Sequence, residues 1–216
     1  MNSNIIVVLV AGSSLAINWA DEHIPAIVNA WYPGEQGGTA VADVLFGDYN
    51  PAGRLPLTYY KGLEELPPFD DYDITKGRGY QYFKGEVLYP FGYGLSYTSF
   101  KYSNLQVKDG KDELTVSFRL QNTGGQAGDE VVQLYVQLPH RGEPMPVKEL
   151  KAFKRVFMER GDKQLVELKV KKDQLRYWDA ARGRFVYPSG NYIVQVGASS
   201  ADIRLTGEVA VEQYSK

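Results

Sequence analysis

Residues 88–97, LYPFGYGLSY, join two halves of a 216-residue chain whose apolar residues recur with different periods. Before this run, apolar stretches of strand type alternate with helical spacing; after it, apolar and polar residues alternate one by one. The run itself holds Tyr89, Phe91, Tyr93 and Tyr97, interleaved with Pro90, Gly92 and Gly94. That composition suits a buried seam, because rings supply apolar area with hydroxyl handles while glycine lets two backbones approach closely. The stretch is expected to be a joint between two folding units.

Upstream, residues 5–10 (IIVVLV) form a continuous apolar run, as in a strand buried on both faces, the usual state of parallel strands. Residues 20–24 carry Asp21 and Glu22 early, as a short helix start does, and residues 27–31 suit a second buried strand. Residues 35–46 read as a helix with Val41 and Leu45, and Ala42 and Phe46, at i, i+4, stopped by Gly47. Residues 54–59 read as a third strand. The alternation predicts a β/α layered fold. Three strands and two helices within about 60 residues leave both sheet faces short of cover, and a unit so small buries only ~60% of its unfolded surface. It reads as half a domain. Residues 61–87 follow as a long connecting loop with Pro67, Pro68, the acidic cluster Asp70, Asp71 and Asp73, and the segment GRGYQYF at 77–83. Loops of that length are functional or wrapped over a neighbour.

Downstream, Leu114, Val116, Phe118 and Leu120 fall on one side of an alternating run, with Thr115, Ser117 and Arg119 on the other. Val132, Leu134, Val136 and Leu138 repeat the pattern, as do Val166, Leu168 and Val170, and Tyr192, Val194 and Val196. Turn residues such as 123–125 and 188–190 separate the runs. About seven short strands of this kind predict a β-sandwich of independent domain size.

Composition narrows the function. A net charge of −2 and a pI near 5.8 argue against nucleic acid, which calls for a basic stripe. No run approaches the ~18 apolar residues of a membrane span, and residues 5–11 are too short and lack the basic flank of a secretory signal. The absence of cysteine rules out disulfides and thiolate chemistry without fixing a compartment. His23 and His140 are too few and wrongly spaced for a histidine-based zinc site, so both are expected as surface or cap residues and no metal is expected. Gly34, Gly37 and Gly38 precede a helix, but their spacing is not that of a dinucleotide fingerprint and no phosphate-loop lysine follows. Tight packing of helix against strand explains them, and no nucleotide or other cofactor is expected. Ser13 and Ser14 follow Gly12 without the G-x-S-x-G context of a nucleophile, and read as turn serines. The paired carboxylates of a retaining glycosidase lie ~5 to 5.5 Å apart, one with a raised pKa. Glu64, Glu65, Asp70, Asp71 and Asp73 have the right chemistry but polar surroundings, so solvated or capping roles are expected. Trp19, Trp31 and Trp178 read as core or interface anchors.

The joint, extended to YPFGYGLSYTSF at 89–100, resembles the junction between the α/β-sandwich domain and the C-terminal fibronectin type III-like domain of glycoside hydrolase family three. Blocks at 30–38 (AWYPGEQGG), 42–47 (ADVLFG), 50–57 (NPAGRLPL), 149–153 (ELKAF), 189–192 (SGNY) and 196–203 (VGASSADI) continue the resemblance in the family's order. It implies an α/β plus all-β fold: a partial α/β sandwich, with parallel-type sheet and helices, at 1–65, a linker and joint at 66–98, and a fibronectin type III-like β-sandwich at 99–216. It implies the C-terminal segment of a retaining, exo-acting β-glycosidase, releasing terminal glucose or xylose. The nucleophilic Asp of that family lies on an N-terminal barrel and the acid/base Glu generally in the early sandwich, so this segment is expected to lack both and to be inactive alone. Its expected partners are the upstream barrel and first part of the sandwich, in the same or a separate chain, and an oligosaccharide met through the whole enzyme. Residues 77–83 resemble a G-R-T-Y-R-Y-F pattern of xylosidase-like members, with Gly79 for Thr and Gln81 for Arg; by this resemblance Arg78 and Tyr80 are candidates for substrate-proximal residues. The competing readings are a standalone carbohydrate- or protein-interaction module without catalysis, and a split product working only in a complex.

Overall fold

Two parallel strands open the computed structural model, which describes residues 4–139, 144–179 and 181–212; His140 lies outside these. Strand β1 (Ile6–Leu9) pairs with β2 (Ala26–Asn29) from Ile6↔Ala26 to Leu9↔Asn29, across helix α1 (Asn18–His23). Helix α2 (Gly37–Phe46) follows and ends on Gly47, whose φ of 85° closes the last turn with an N–H to the Val44 carbonyl. Glycine enters that left-handed conformation at little cost, which is why the helix stops there.

The β1 strand is not buried on both faces as expected. Ile6, Val8 and Val10 are 48%, 37% and 61% exposed, because no described element covers that side of the pair. Phe46 on α2 is likewise 82% exposed, with Val41 and Leu45 half-buried. The third strand expected at 54–59 does not form as a member of the parallel sheet. Pro56 has no N–H to give a ladder, and Leu55 turns instead to the joint, donating to the Tyr93 carbonyl at 2.8 Å and accepting from Gly92 N–H at 2.7 Å. Only β3 (Tyr59–Tyr60) is strand, antiparallel to β4 (Val87–Tyr89). Between them, the long loop holds a 3₁₀ turn (Ile74–Lys76) and the single-turn helix α3 (Gly79–Tyr82).

The second region matches its reading closely. Strands β5 (Phe100–Asp109), β6 (Glu113–Asn122) and β9 (Lys163–Lys171) form one antiparallel sheet in the order β5-β6-β9. Strands β7 (Gly128–Gln137), β8 (Glu149–Met158), β12 (Gly190–Gly197) and β13 (Ile203–Val211) form the other, in the order β13-β12-β7-β8. A small hairpin of β10 (Tyr177–Asp179) and β11 (Arg184–Val186) lies outside both sheets. Every alternating apolar residue picked from the sequence is buried between the sheets. Asn104, with φ of 58°, marks a bulge where β5 changes register against β6. The contiguous core is drawn wholly from Tyr102 onward, whereas upstream, among the described residues, only Ala52 and Tyr59 are buried apolar side chains.

Candidate functional site at the domain joint

Backbone geometry comes first at the joint. Gly92 has φ of 82°, and a Cβ there would collide with the Gln133 amide oxygen; a Cβ on Gly94 would collide with the Gly53 carbonyl. Both glycines are therefore required by close approach. Into the space at Gly92 comes Gln133 of β7, donating to the Gly92 carbonyl at 3.1 Å and the Ala198 carbonyl at 2.6 Å, while the Tyr135 hydroxyl donates to its amide oxygen. Ser200 N–H donates to the Phe91 carbonyl at 2.9 Å. One glutamine side chain thus ties the joint to both β7 and the end of β12.

Three side chains of the first region reach across, Tyr49 by accepting from the Arg155 guanidinium at 2.6 Å. Asn50 donates to the Ala127 carbonyl at 2.9 Å and accepts from the Ser96 hydroxyl and Tyr97 N–H at 2.9 and 2.8 Å. Arg54 meets Glu130 at 3.3 Å, both side chains more than nine-tenths buried. Burial pushes the Glu130 pKa up from the ordinary carboxylate range, with Arg54 and its hydrogen bond pulling the other way. Arg54 Nε is buried beside this pair without a hydrogen-bond acceptor, and the Tyr102 hydroxyl lies against the Glu130 carboxylate. A cleft of about 270 Å³ opens here between residues 93–100, Arg54, Glu130 and the turn at 198–204.

The long loop is held by the residues singled out in it, which point in opposite directions. Arg78 turns its guanidinium back onto the Pro67, Pro68 and Asp71 carbonyls. Tyr80 reaches the joint: its ring stacks on Phe91 at 4.3 Å and meets Tyr135 edge-on at 5.9 Å, and its hydroxyl accepts from Leu150 N–H at 2.9 Å. Burial raises the Tyr80 pKa above the ordinary phenol value. Val147 N–H donates to the Gln81 carbonyl, so residues 147–150 are pinned to α3 at two points. Neither Arg78 nor Tyr80 lines the cleft beside Arg54. A second cleft of about 370 Å³ lies alongside, lined by Glu65, Lys76, Tyr82 and Phe83 among others.

The remaining candidates take quiet roles. Asp73 caps the 3₁₀ turn through Thr75 N–H, and Asp71 pairs with Lys76 at 2.7 Å, which lowers its pKa. His23 closes α1, its ring stacked on Trp19 and its Nδ1 2.8 Å from the Trp19 carbonyl. Ser13 lies in the bend after β1 and Ser14 directly follows it. Among the described residues no cluster of His, Asp and Glu is suited to a metal, and no helix is long and apolar enough to cross a membrane. Gly34, Gly37 and Gly38 do not mediate helix–strand packing: Gly34 takes φ of 72° in the turn, Gly37 abuts the Pro33 ring, and Gly38 faces open space. Trp19 and Trp178 are not core residues either, at 59% and 55% exposed.

Sequence reading passed over Asn50, Arg54, Glu130 and Gln133. For Glu130 a signal existed: it shares parity with Val132, Leu134 and Val136, so a charged residue stands on a core face and needs a partner. Asn50 and Gln133 carry no such mark, since most of the groups they bond lie on distant segments.

Comparison with known proteins places these features in company. The model of the glycosyl hydrolase family 3 C-terminal domain matches residues 1–97, and that of the fibronectin type III-like domain matches residues 130–200. A xylan 1,4-beta-xylosidase of Xylanibacter ruminicola is 42% identical over 92% of this chain and 23% of its own length. A probable beta-glucosidase I of Aspergillus terreus is 38% identical over 98% of this chain and 28% of its own. The crystal structure of a beta-glucosidase from Kluyveromyces marxianus in complex with glucose superposes with a TM-score of 0.92 at 36% identity, covering 98% of this chain and 27% of that one. The chain thus spans about a quarter of the length of these relatives.

Proposed function

The chain belongs to glycoside hydrolase family 3, and from this we propose that it works as the C-terminal segment of a retaining, exo-acting β-glycosidase that removes terminal β-linked glucose or xylose. In this reading residues 1–65 complete an α/β sandwich begun by other polypeptide, 66–98 form the linker and joint, and 99–216 form a fibronectin type III-like brace. Both catalytic carboxylates come from outside residues 1–216. The supporting observation is the bare side of β1: Ile6, Val8 and Val10 form an apolar strand face that only a further layer can cover. Two carboxylates of the long loop lend the same support, since Asp73 caps a turn and Asp71 pairs with a lysine rather than facing a second acid.

The brace acts through geometry. The joint holds the long loop against the sandwich at Tyr80, Gln81 and Phe91, so loop position follows sandwich position. Arg78 and Tyr80 are substrate-proximal in this reading as positioning residues, one fixing the turn at 67–71 and the other fixing α3. Hydrolysis of p-nitrophenyl β-glucoside and β-xyloside tests the proposal. The chain by itself should show no turnover, and activity should appear when the upstream barrel and sandwich portion are supplied; turnover by the chain alone would overturn the assignment of both carboxylates elsewhere.

A further inference from the structure

The cleft beside the Arg54–Glu130 pair is built like a ligand site and no part of the proposed brace uses it. Its floor is the buried pair with Tyr102; its mouth carries Arg204 and Asp202, paired with each other and both 45% exposed at the side chain. Two guanidinium groups face two carboxylates, so the lining has no net charge to offer a small ion. It does have unfilled hydrogen-bonding capacity. Arg54 contacts Glu130 through a single nitrogen at 3.3 Å, and its Nε–H has no acceptor although the side chain is more than nine-tenths buried. Buried donors without acceptors are uncommon in native proteins and point to a missing partner. The lining interleaves the Arg54 and Arg204 guanidinium groups with carboxylate and hydroxyl oxygens, Ser199 among them, and adds the apolar side of Phe100. At about 270 Å³ the cleft sits just below the ~300–1,000 Å³ of ordinary small-molecule sites, room for one sugar ring and not for a chain of them.

The geometry points to a binding site for a single neutral polyhydroxylated ring, a monosaccharide, at the domain joint. The site is made entirely by residues of this chain, and its occupancy can be read without any hydrolysis, so it stands or falls independently of the glycosidase reading. Its effect follows from its walls: Arg54 belongs to the first region and Glu130, Tyr102 and Arg204 to the sandwich, so a ring that hydrogen-bonds to both stiffens the joint.

Amide NMR of the 216-residue chain, titrated separately with glucose, xylose and sodium sulfate, tests this. Saturable shifts confined to residues 95–100, 130 and 198–204 are expected with one of the sugars, at a Kd of roughly millimolar order. Ser99→Trp places a large ring at the exposed rim without touching the buried pair, and should weaken binding at least ~10-fold; Arg204→Met should weaken it as well while keeping a dispersed spectrum. Three results would overturn the site: no saturable shift with either sugar, sugar binding unchanged in both variants, or the same residues shifting with sulfate in place of sugar.

Discussion

From residue 100 onward, two antiparallel sheets face each other and bury Leu114, Val116, Phe118, Leu134 and Tyr192 completely, whereas before residue 98 a lone parallel pair leaves Ile6, Val8 and Val10 outside. Strands with one apolar face need one partner layer, which a neighbouring hairpin can supply; strands apolar throughout need two, and the first region holds too few elements to supply them. The same kind of residue therefore contributes very differently to stability on the two sides of the joint.

Cavity formation gives the sharpest break of that comparison. Phe118→Ala should cost about 3–5 kcal/mol in urea unfolding followed by far-ultraviolet circular dichroism, whereas Val8→Ala should change the chain by under ~0.5 kcal/mol. Equal losses at the two sites would mean that the first region is closed after all. Supplying the proposed upstream portion of the sandwich should raise the cost of Val8→Ala towards that of an ordinary core valine.

Arg54→Ala removes one partner of a buried pair and leaves Glu130 uncompensated, so a loss of roughly 3 kcal/mol is expected, with the two regions melting apart in calorimetry. A single unchanged transition would show that the joint does not depend on this contact.

The smallest effect is in pH. Because burial holds the Glu130 pKa above its unfolded value, the folded chain binds that proton more tightly than the unfolded one. The contribution of this group is then least favourable at neutral pH, rises as pH falls through the folded pKa, and is complete below the ordinary glutamate range. Glu130→Gln lacks the titrating proton and the slope with it. Stability measured between about pH 7 and pH 4.5 should favour the native protein progressively over the E130Q variant as pH falls. Parallel curves would refute the inverted titration.

How much of this could be read from residues alone depended on how local the determinants were. The alternation from Leu114 to Leu120 is settled by neighbours two residues apart, and so was legible. Gly47 was legible as a helix stop for the same reason. Residues 54–59 were not, because Pro56 blocks the ladder and the partners of Leu55 lie at Gly92 and Tyr93, far along the chain. The site divides in the same way: Asp73 as a cap is local, whereas the Gln133 amide at Gly92 and the Arg54–Glu130 pair are meetings of distant segments. The exposure of Trp19 and Trp178 could not be inferred from residue type, since burial of a large ring is set by which layers are present to cover it.

The placement of tryptophan has a practical consequence for anyone watching this molecule unfold. Trp19 and Trp31 lie in the first region and Trp178 in the small hairpin, so the sandwich core contains no indole at all. Intrinsic emission therefore reports the periphery and circular dichroism the β-sheet, and a gap between the two curves would be optical evidence of two cooperative units rather than a flaw in the experiment.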